Sequence, residues 1–252
     1  MNRKKLYLGL VLGFLGLIGM VSILTMDIPL PPEIQELMNE SFSPTQIKLL
    51  IMINPLILLI AAVVVGTLLY QKVNLRVPII EKWVGINNEP VDFMGIFKSG
   101  TLGGIIAGIV VVLVVVIFKP FMAAEYEQLT QALQPTLAAR FLYGGITEEI
   151  FLRFGLMTLI VWISAKALKG TKPAAYWIGI VLAALIFAVG HFPVVFNTIE
   201  SPGTILLTYV LIGNSVGGLI FGWLYWKKGL ESAFVAHIFI HVVLVIAENT
   251  VF

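Results

Sequence analysis

The sequence predicts an all-α protein, a polytopic bundle of about seven (six to eight) transmembrane helices around a polar cavity. Of its 252 residues, 59% are hydrophobic and only 12% are charged, and the mean hydropathy is +0.99. A typical soluble domain carries about 25% charged residues. The other two observations are apolar runs long enough to cross a bilayer and ionisable side chains inside those runs. We therefore treat residues 1–252 as one integral membrane domain.

Seven apolar runs are candidates for membrane-spanning helices, because a hydrocarbon core of about 30 Å requires about 20 helical residues. They cover residues 6–26, 48–70, 101–122, 138–165, 175–192, 204–226 and 232–250. The first run follows the basic stretch MNRKK and has no small-residue cleavage site before Asp27, which favours an uncleaved signal anchor. A half-span within residues 71–100 would change the count, so six to eight helices are expected.

Twelve of the sixteen Lys and Arg residues fall in alternate connections, which predicts the side of the membrane for each connection. They are Arg3, Lys4, Lys5, Lys72, Arg76, Lys82, Lys98, Lys166, Lys169, Lys172, Lys227 and Lys228. The intervening segments 27–46 and 192–203 contain no Lys or Arg. By the positive-inside rule, the N-terminus is expected in the cytoplasm and the C-terminus outside, in a multi-pass protein of the plasma membrane.

Charge and cysteine content exclude several classes of function. The net charge is only +2 and the cations are dispersed between apolar runs, so no nucleic-acid partner is expected. The chain has no cysteine, which excludes disulfides, thiolate nucleophiles and cysteine-ligated metal centres. The partner that the composition itself predicts is the lipid bilayer.

Three ionisable residues lie inside the fourth apolar run, in the stretch TEEIFLRF. Such groups are costly at mid-membrane and usually face the bundle interior as paired or functional groups. On an α-helix, Glu149 and Arg153 are four residues apart in the order that favours an ion pair. Glu148 lies about 100° around the helix and needs a partner from another helix. The alternative is a buried salt-bridge cluster that only joins helices.

All three histidines of the chain also lie in apolar runs. His191 follows Phe187 by four residues, and His237 and His241 share one helix face because they too are four apart. A carboxylate in such a site can act as general base toward water, while imidazoles orient the water or donate to an oxyanion. The same four side chains, Glu148, His191, His237 and His241, could instead hold Zn²⁺. No cofactor is assigned, and Zn²⁺ stays an alternative.

These motifs resemble those of the CAAX-protease and bacteriocin-processing (CPBP, or Abi) family of intramembrane proteases, which is related to the prenyl-protein CAAX endopeptidase. The matching stretches are EEIFLR (148–153), FAVGH (187–191) and HIFIH (237–241), in the family's order on successive late spans. The resemblance covers about residues 138–245, the predicted catalytic core. It implies a helix bundle around a conical cavity and hydrolysis of a peptide bond in a membrane-associated, for example prenylated CAAX-type, protein or peptide.

Roles follow from the resemblance residue by residue. Glu148 and His191 would activate water, and His237 would donate to the oxyanion. His241 stands where the family usually has Asn or Asp as part of the oxyanion site, and this difference favours the metal alternative. Supporting or substrate-binding roles would fall to the remaining motif residues, Glu149, Arg153 and Phe187.

The depth of the motif residues in the membrane indicates whether they can form one site. At 1.5 Å per residue, Glu148 and His191 are each about 25 Å from the predicted cytoplasmic surface, whereas His237 is only about 8 Å from it. A shared site therefore requires that the last helix begin deep in the bundle or that another span be tilted. A separation of more than about two helical turns between His237 and Glu148 would exclude it.

Three other functions would use parts of the same sequence. A transporter or proton relay would use similar residues, but no inverted repeat is evident. A non-proteolytic immunity or scaffold protein would keep the fold without turnover. GNSVG (213–217) resembles a nucleophile elbow at Ser215, but it lies inside an apolar span, where Gly213/Gly217 and Gly218/Gly222 are typical of close helix packing.

Overall fold

The computed structural model describes residues 2–251, the side chain of Pro32 excepted, and this part of the chain contains helices and no strand. Seven helical segments are long and apolar enough to span a membrane. We name them α1 to α7: Arg3–Thr25, Pro44–Val73, Phe93–Phe121, Ala139–Ala167, Pro173–Thr198, Thr204–Lys228 and Leu230–Thr250. The predicted all-α class and the predicted count of seven spans are confirmed, and the protein is an integral, multi-pass membrane protein.

Three short helices lie between the spans, at Pro32–Ser41, Pro78–Trp83 and Ala123–Ala132. Residues 71–100 therefore hold a helix of six residues and the beginning of α3, not an eighth span. The fifth span, α5, is interrupted near its end, where Pro173–Val189 gives way to the short helix Phe192–Thr198.

The connections with the basic residues meet at one end of the bundle. Among the hydrogen bonds that join them are those of Lys4 Nζ to Gly85 O at 2.5 Å, Asn74 Nδ2 to Thr171 Oγ1 at 3.3 Å, and Leu230 N to Arg76 O at 3.1 Å. We call this the basic end. The basic connections thus lie at the same end of the bundle, as their alternation along the sequence predicted. The location of the basic end in the cytoplasm stays a prediction.

The first half of α4 differs from the predicted α-helix. Ala139–Glu148 and Ile150–Met157 form π-helical turns with i→i+5 hydrogen bonds, and ordinary α-helix resumes at Thr158. The predicted angle of about 100° between Glu148 and Glu149 assumed an α-helix, whereas a π-helix has a wider turn. Two buried threonines add to the i→i+5 pattern, since the Thr158 hydroxyl donates to Arg153 O at 3.1 Å and that of Thr147 lies 3.5 Å from Leu142 O. π-Helical turns often occur at functional sites.

The helices that surround α4 bring the late motifs together. The last span, α7, packs along α3 and against the first π-helical part of α4, while α6 packs against both α3 and α5. The largest buried core runs through these contacts and includes Phe154, Ile180, Phe221 and Ile240. The motifs of α4, α5 and α7 consequently face a common interior.

The glycines of α6 pack unequally. Gly218 and Gly222 face α5, as the small-residue pattern predicted, but Gly213 has no neighbour within 4 Å, so close packing at Gly213 is wrong. A Cβ added to Gly218 would lie 2.6 Å from Ala184 Cβ and 2.8 Å from Ala184 Cα. The α5–α6 contact therefore depends on the missing side chain at Gly218.

Replacing Gly218 by alanine is expected to reduce the free energy of unfolding by about 1–3 kcal/mol through overpacking. The matched substitution Gly213→Ala, in the same helix, should be neutral or stabilising by up to about 1 kcal/mol because alanine is the better helix former. Unfolding both variants in mixed micelles by titration with sodium dodecyl sulfate measures the difference. Equal effects of the two substitutions would contradict this account of the α5–α6 contact.

Candidate active site

Glu149 and Arg153 form the ion pair that their spacing on α4 predicted. Arg153 Nη1 lies 3.0 Å from Glu149 Oε1, and the two side chains are only 1% and 0% exposed. The guanidinium nitrogens have no well-directed hydrogen-bond acceptor among residues 2–251. Charge attraction rather than a directional hydrogen bond therefore joins this pair.

Two aromatic rings enclose the Arg153 guanidinium. Its Cζ lies 5.3 Å from the ring centre of Phe187 on α5 and 5.4 Å from that of Phe221 on α6. Both distances are within the range of a cation–π interaction, which strengthens when the cation is removed from water. Arg153 thus binds α4 to α5 and α6 at the level of the motifs.

His237 of α7 lies between the two glutamates of α4. Its Nδ1 is 2.8 Å from Glu149 Oε1, and its Nε2 is 3.8 Å from Glu148 Oε2. An ionised carboxylate can only accept hydrogen bonds, so Nδ1 donates to Glu149, and Nε2 is directed toward Glu148. Glu149 therefore fixes the ring orientation of His237, in addition to its pairing with Arg153.

Glu148 is the accessible acid of the pair. Its side chain is 20% exposed, whereas that of Glu149 is fully buried. Beyond the approach of His237 Nε2, Glu148 makes no hydrogen bond within residues 2–251. A carboxylate with this exposure and one imidazole nearby can bind a water molecule and remove its proton.

His241 extends the imidazole cluster by one helical turn. Its ring stacks on that of His237, with 5.1 Å between centroids, and its Nδ1 is buried without a hydrogen-bond partner in the described chain. Gly144 of α4 leaves the space that this ring occupies, since a Cβ there would lie 2.8 Å from His241 Nε2. The predicted sharing of one helix face by the two histidines is thus reproduced.

His191 lies at the break in α5, one residue before Phe192–Thr198 begins. Its Nδ1 is 2.9 Å from the carbonyl oxygen of Phe187. A carbonyl only accepts, so Nδ1 carries the proton and Nε2 of the neutral ring is an acceptor. No hydrogen bond joins His191 directly to Glu148 in the described chain; the Phe187 ring lies between the two histidines, 4.7 Å from His191 and 6.1 Å from His237.

The predicted difference in depth between His237 and the other two motif residues, Glu148 and His191, has a structural explanation. Leu230 and Ser232, at the start of α7, are fully buried, and Glu231 Oε1 accepts hydrogen bonds from the backbone nitrogens of Ile79 and Ile80 at 2.9 and 3.0 Å. The last helix therefore begins beneath the 76–86 segment rather than at the surface. The separation of 3.8 Å between Glu148 and His237 leaves the shared site intact.

Comparison with known families identifies the part of the chain that carries this geometry. Residues 130–243, just under half of the chain, match the family described as Rce1-like, type II CAAX prenyl endopeptidase Rce1-like. We call residues 130–243 the Rce1-like segment because they are similar to that family, and the predicted resemblance is confirmed for them. The Rce1-like segment contains all three motifs, and its family indicates a hydrolase, a CAAX-type intramembrane protease in general. No curated protein and no solved structure matches the chain.

The residues of the Rce1-like segment do not fit the zinc alternative. Within residues 2–251, no three His, Cys, Asp or Glu side chains are arranged to hold one metal ion. The proposed set was Glu148, His191, His237 and His241. His237 and His191 use Nδ1 for Glu149 and for a backbone carbonyl, which leaves Nε2 of each ring open, so the misfit lies in the spacing of the four side chains and not in these hydrogen bonds.

Two residues of the site escaped the sequence analysis. Phe221 stacks on His237 with 4.8 Å between ring centres and also covers Arg153. Gly144 admits the His241 ring. Nothing in the sequence distinguishes Phe221 from the other phenylalanines of the spans, because its role depends on how α6 is rotated against α7. Phe187, which the motif did indicate, has the matching position on the other side of Arg153.

Proposed function

We propose that the protein is an intramembrane endopeptidase that hydrolyses a peptide bond of a membrane-associated protein or peptide with activated water. The observation that carries the proposal is His237 between the two glutamates, with one imidazole nitrogen on buried Glu149 and the other directed toward the partly exposed Glu148. Glu148 is the general base. A prenylated CAAX-type C-terminus is one substrate of this class.

In the proposed mechanism His237 acts as an imidazolium, in which both ring nitrogens carry a proton. With Glu148, Glu149 and Arg153, the formal charges of the cluster then sum to zero. The protonated ring would then donate through Nε2, which is the donor that a developing oxyanion needs.

The reaction then proceeds in two steps. Glu148 takes a proton from water, the hydroxide adds to the carbonyl carbon, and the oxyanion accepts a hydrogen bond from His237 Nε2. When the tetrahedral intermediate collapses, the C–N bond breaks and the proton on Glu148 passes to the leaving amine. His191 contributes its Nε2 acceptor to orient the attacking water, and the carbonyl of Phe187 holds the tautomer that makes this possible.

Cleavage by the purified protein tests the proposal. Wild-type protein in detergent should cleave a membrane-associated peptide from a panel that contains prenylated and unprenylated CAAX sequences, and His191→Ala should lower kcat about 100-fold by loss of water orientation. The nucleophile-elbow alternative supplies the control, because Ser215→Ala should leave kcat unchanged. A loss of cleavage in Ser215→Ala with retention in His191→Ala would replace this mechanism by a serine hydrolase.

A further inference from the structure

A second feature of the molecule lies at the basic end, away from the candidate active site. A cavity of about 310 Å³ opens there between the start of α3, the end of α6 and the 74–92 segment. Its cationic lining consists of Arg76, Lys227 and Lys228, next to Trp226. The proposed proteolysis makes no use of this cavity.

The cations of the cavity are not equally free. Arg76 Nε lies 3.5 Å from the buried carboxylate of Glu81, so part of its charge is balanced inside the protein. Lys227 Nζ lies 3.5 Å from the ring centre of Trp226, which holds the ammonium beside the cavity without neutralising it. Lys228 is exposed. The two lysines therefore supply the positive charge that a ligand would meet.

Two acids also line the cavity, and they differ in whether their charge is engaged within the protein. Asp92 Oδ1 accepts the backbone N–H of Gly95 at 2.8 Å, which engages its charge at the start of α3. Glu89 is exposed and is the acid that would oppose an anion. The basic end as a whole contains twelve of the sixteen Lys and Arg residues but only four of the fourteen carboxylates. The surrounding field is thus strongly positive.

The edge of the cavity is apolar on the side that faces lipid. Phe93, Met94 and Phe97 are exposed and directly adjoin the lining residues Asp92, Gly95 and Ile96. Tryptophan residues are typical of the interface between headgroups and acyl chains, and Trp223 and Trp226 lie at that level of α6. A ligand with a phosphate in the cavity would therefore lay its apolar part along the start of α3.

We propose that this cavity binds the headgroup of an anionic phospholipid, with the phosphate between Lys227 and Lys228 and the acyl chains against Phe93 and Phe97. A lipid satisfies both the charge and the apolar edge, whereas a soluble phosphate ester satisfies only the charge. Juxtamembrane Lys and Arg contribute about 1 kcal/mol each to the attraction of anionic lipid, so the effect is measurable.

Native mass spectrometry of the detergent-purified full chain, titrated with phosphatidylglycerol, tests the proposal. The variant Lys227→Gln/Lys228→Gln should bind about 30-fold more weakly than wild type, and Glu89→Gln about 5-fold more tightly. The control Lys72→Gln/Lys172→Gln removes the same charge from exposed positions of the same end that do not line the cavity, and it should bind like wild type.

Three results would overturn the proposal. An equal loss in the cavity variant and the control would mean diffuse attraction to the basic end. Equal affinity for phosphatidylcholine would exclude recognition of anionic charge, and displacement of the lipid by equimolar glycerol 3-phosphate would point to a soluble phosphate ligand. The measured quantity is binding, so failure here leaves the proposed proteolysis untouched.

Discussion

Replacing Glu148 by glutamine is expected to lower kcat for peptide-bond hydrolysis by about 10²–10⁴, the range found for loss of a general base. Glutamine keeps the size of the side chain but cannot take a proton from water. The side chain is 20% exposed and, within residues 2–251, its one ion-pair contact is with His237 Nε2 at 3.8 Å, so the substitution should leave the fold intact. Cleavage of the best substrate by purified wild-type and variant protein measures the effect, with KM expected to change little.

The control for this prediction is Glu200→Gln, which removes an exposed carboxylate from the connection before α6 and should retain full activity. A second comparison uses His237→Gln and the double variant. If Glu148 and His237 act as one unit, the double variant should lose little more activity than Glu148→Gln alone. Retained turnover in Glu148→Gln, with normal thermal stability, would remove this residue from the mechanism.

The sequence was sufficient for features that depend on composition and local spacing. Seven long apolar runs predicted seven spans because bilayer thickness fixes the length of a spanning helix. The i,i+4 spacing of Glu149 and Arg153 predicted their ion pair, and the pair forms even on π-helical backbone. Short-range geometry of this kind survives a change of helix type, because four residues remain close to one turn.

The partner of His237 could not be predicted in the same way. Spacing assigned Glu149 to Arg153 and left Glu148 for the histidines, yet His237 Nδ1 binds Glu149 at 2.8 Å. Which glutamate a histidine of α7 meets depends on the rotation of α4 about its axis, and the wider π-helical turns alter that rotation. The apolar periodicity of these spans is too weak to predict how each helix is rotated about its own axis, because nearly every face of each span is apolar.

The depth of α7 illustrates a second limit. Hydropathy places a span by its apolar length, which would start α7 at the membrane surface. The structure begins α7 inside the bundle, because Glu231 caps the backbone of the 78–83 helix and the 76–86 segment covers Leu230. Such tertiary hydrogen bonds decide the depth of His237, and no local pattern encodes them.

Replacing Arg153 by methionine is expected to reduce the free energy of unfolding by about 3–5 kcal/mol, the usual effect of removing one partner of a buried ion pair. Glu149 would remain buried with His237 as its only polar partner in the described chain. Methionine still fills the space between Phe187 and Phe221 and makes favourable sulfur–aromatic contacts, so the loss reports on charge rather than packing. Titration with sodium dodecyl sulfate in mixed micelles measures the loss.

The double variant Arg153→Met/Glu149→Gln separates the two contributions of Arg153. Its glutamine oxygen can still accept from His237 Nδ1, and no uncompensated charge remains, so most of the lost stability should return. The difference between single and double variants isolates the interaction of the two side chains, as in any double-mutant cycle. If the double variant is as unstable as Arg153→Met, the contacts of the guanidinium with the two phenylalanine rings, rather than its pairing with Glu149, are what stabilise this part of the bundle.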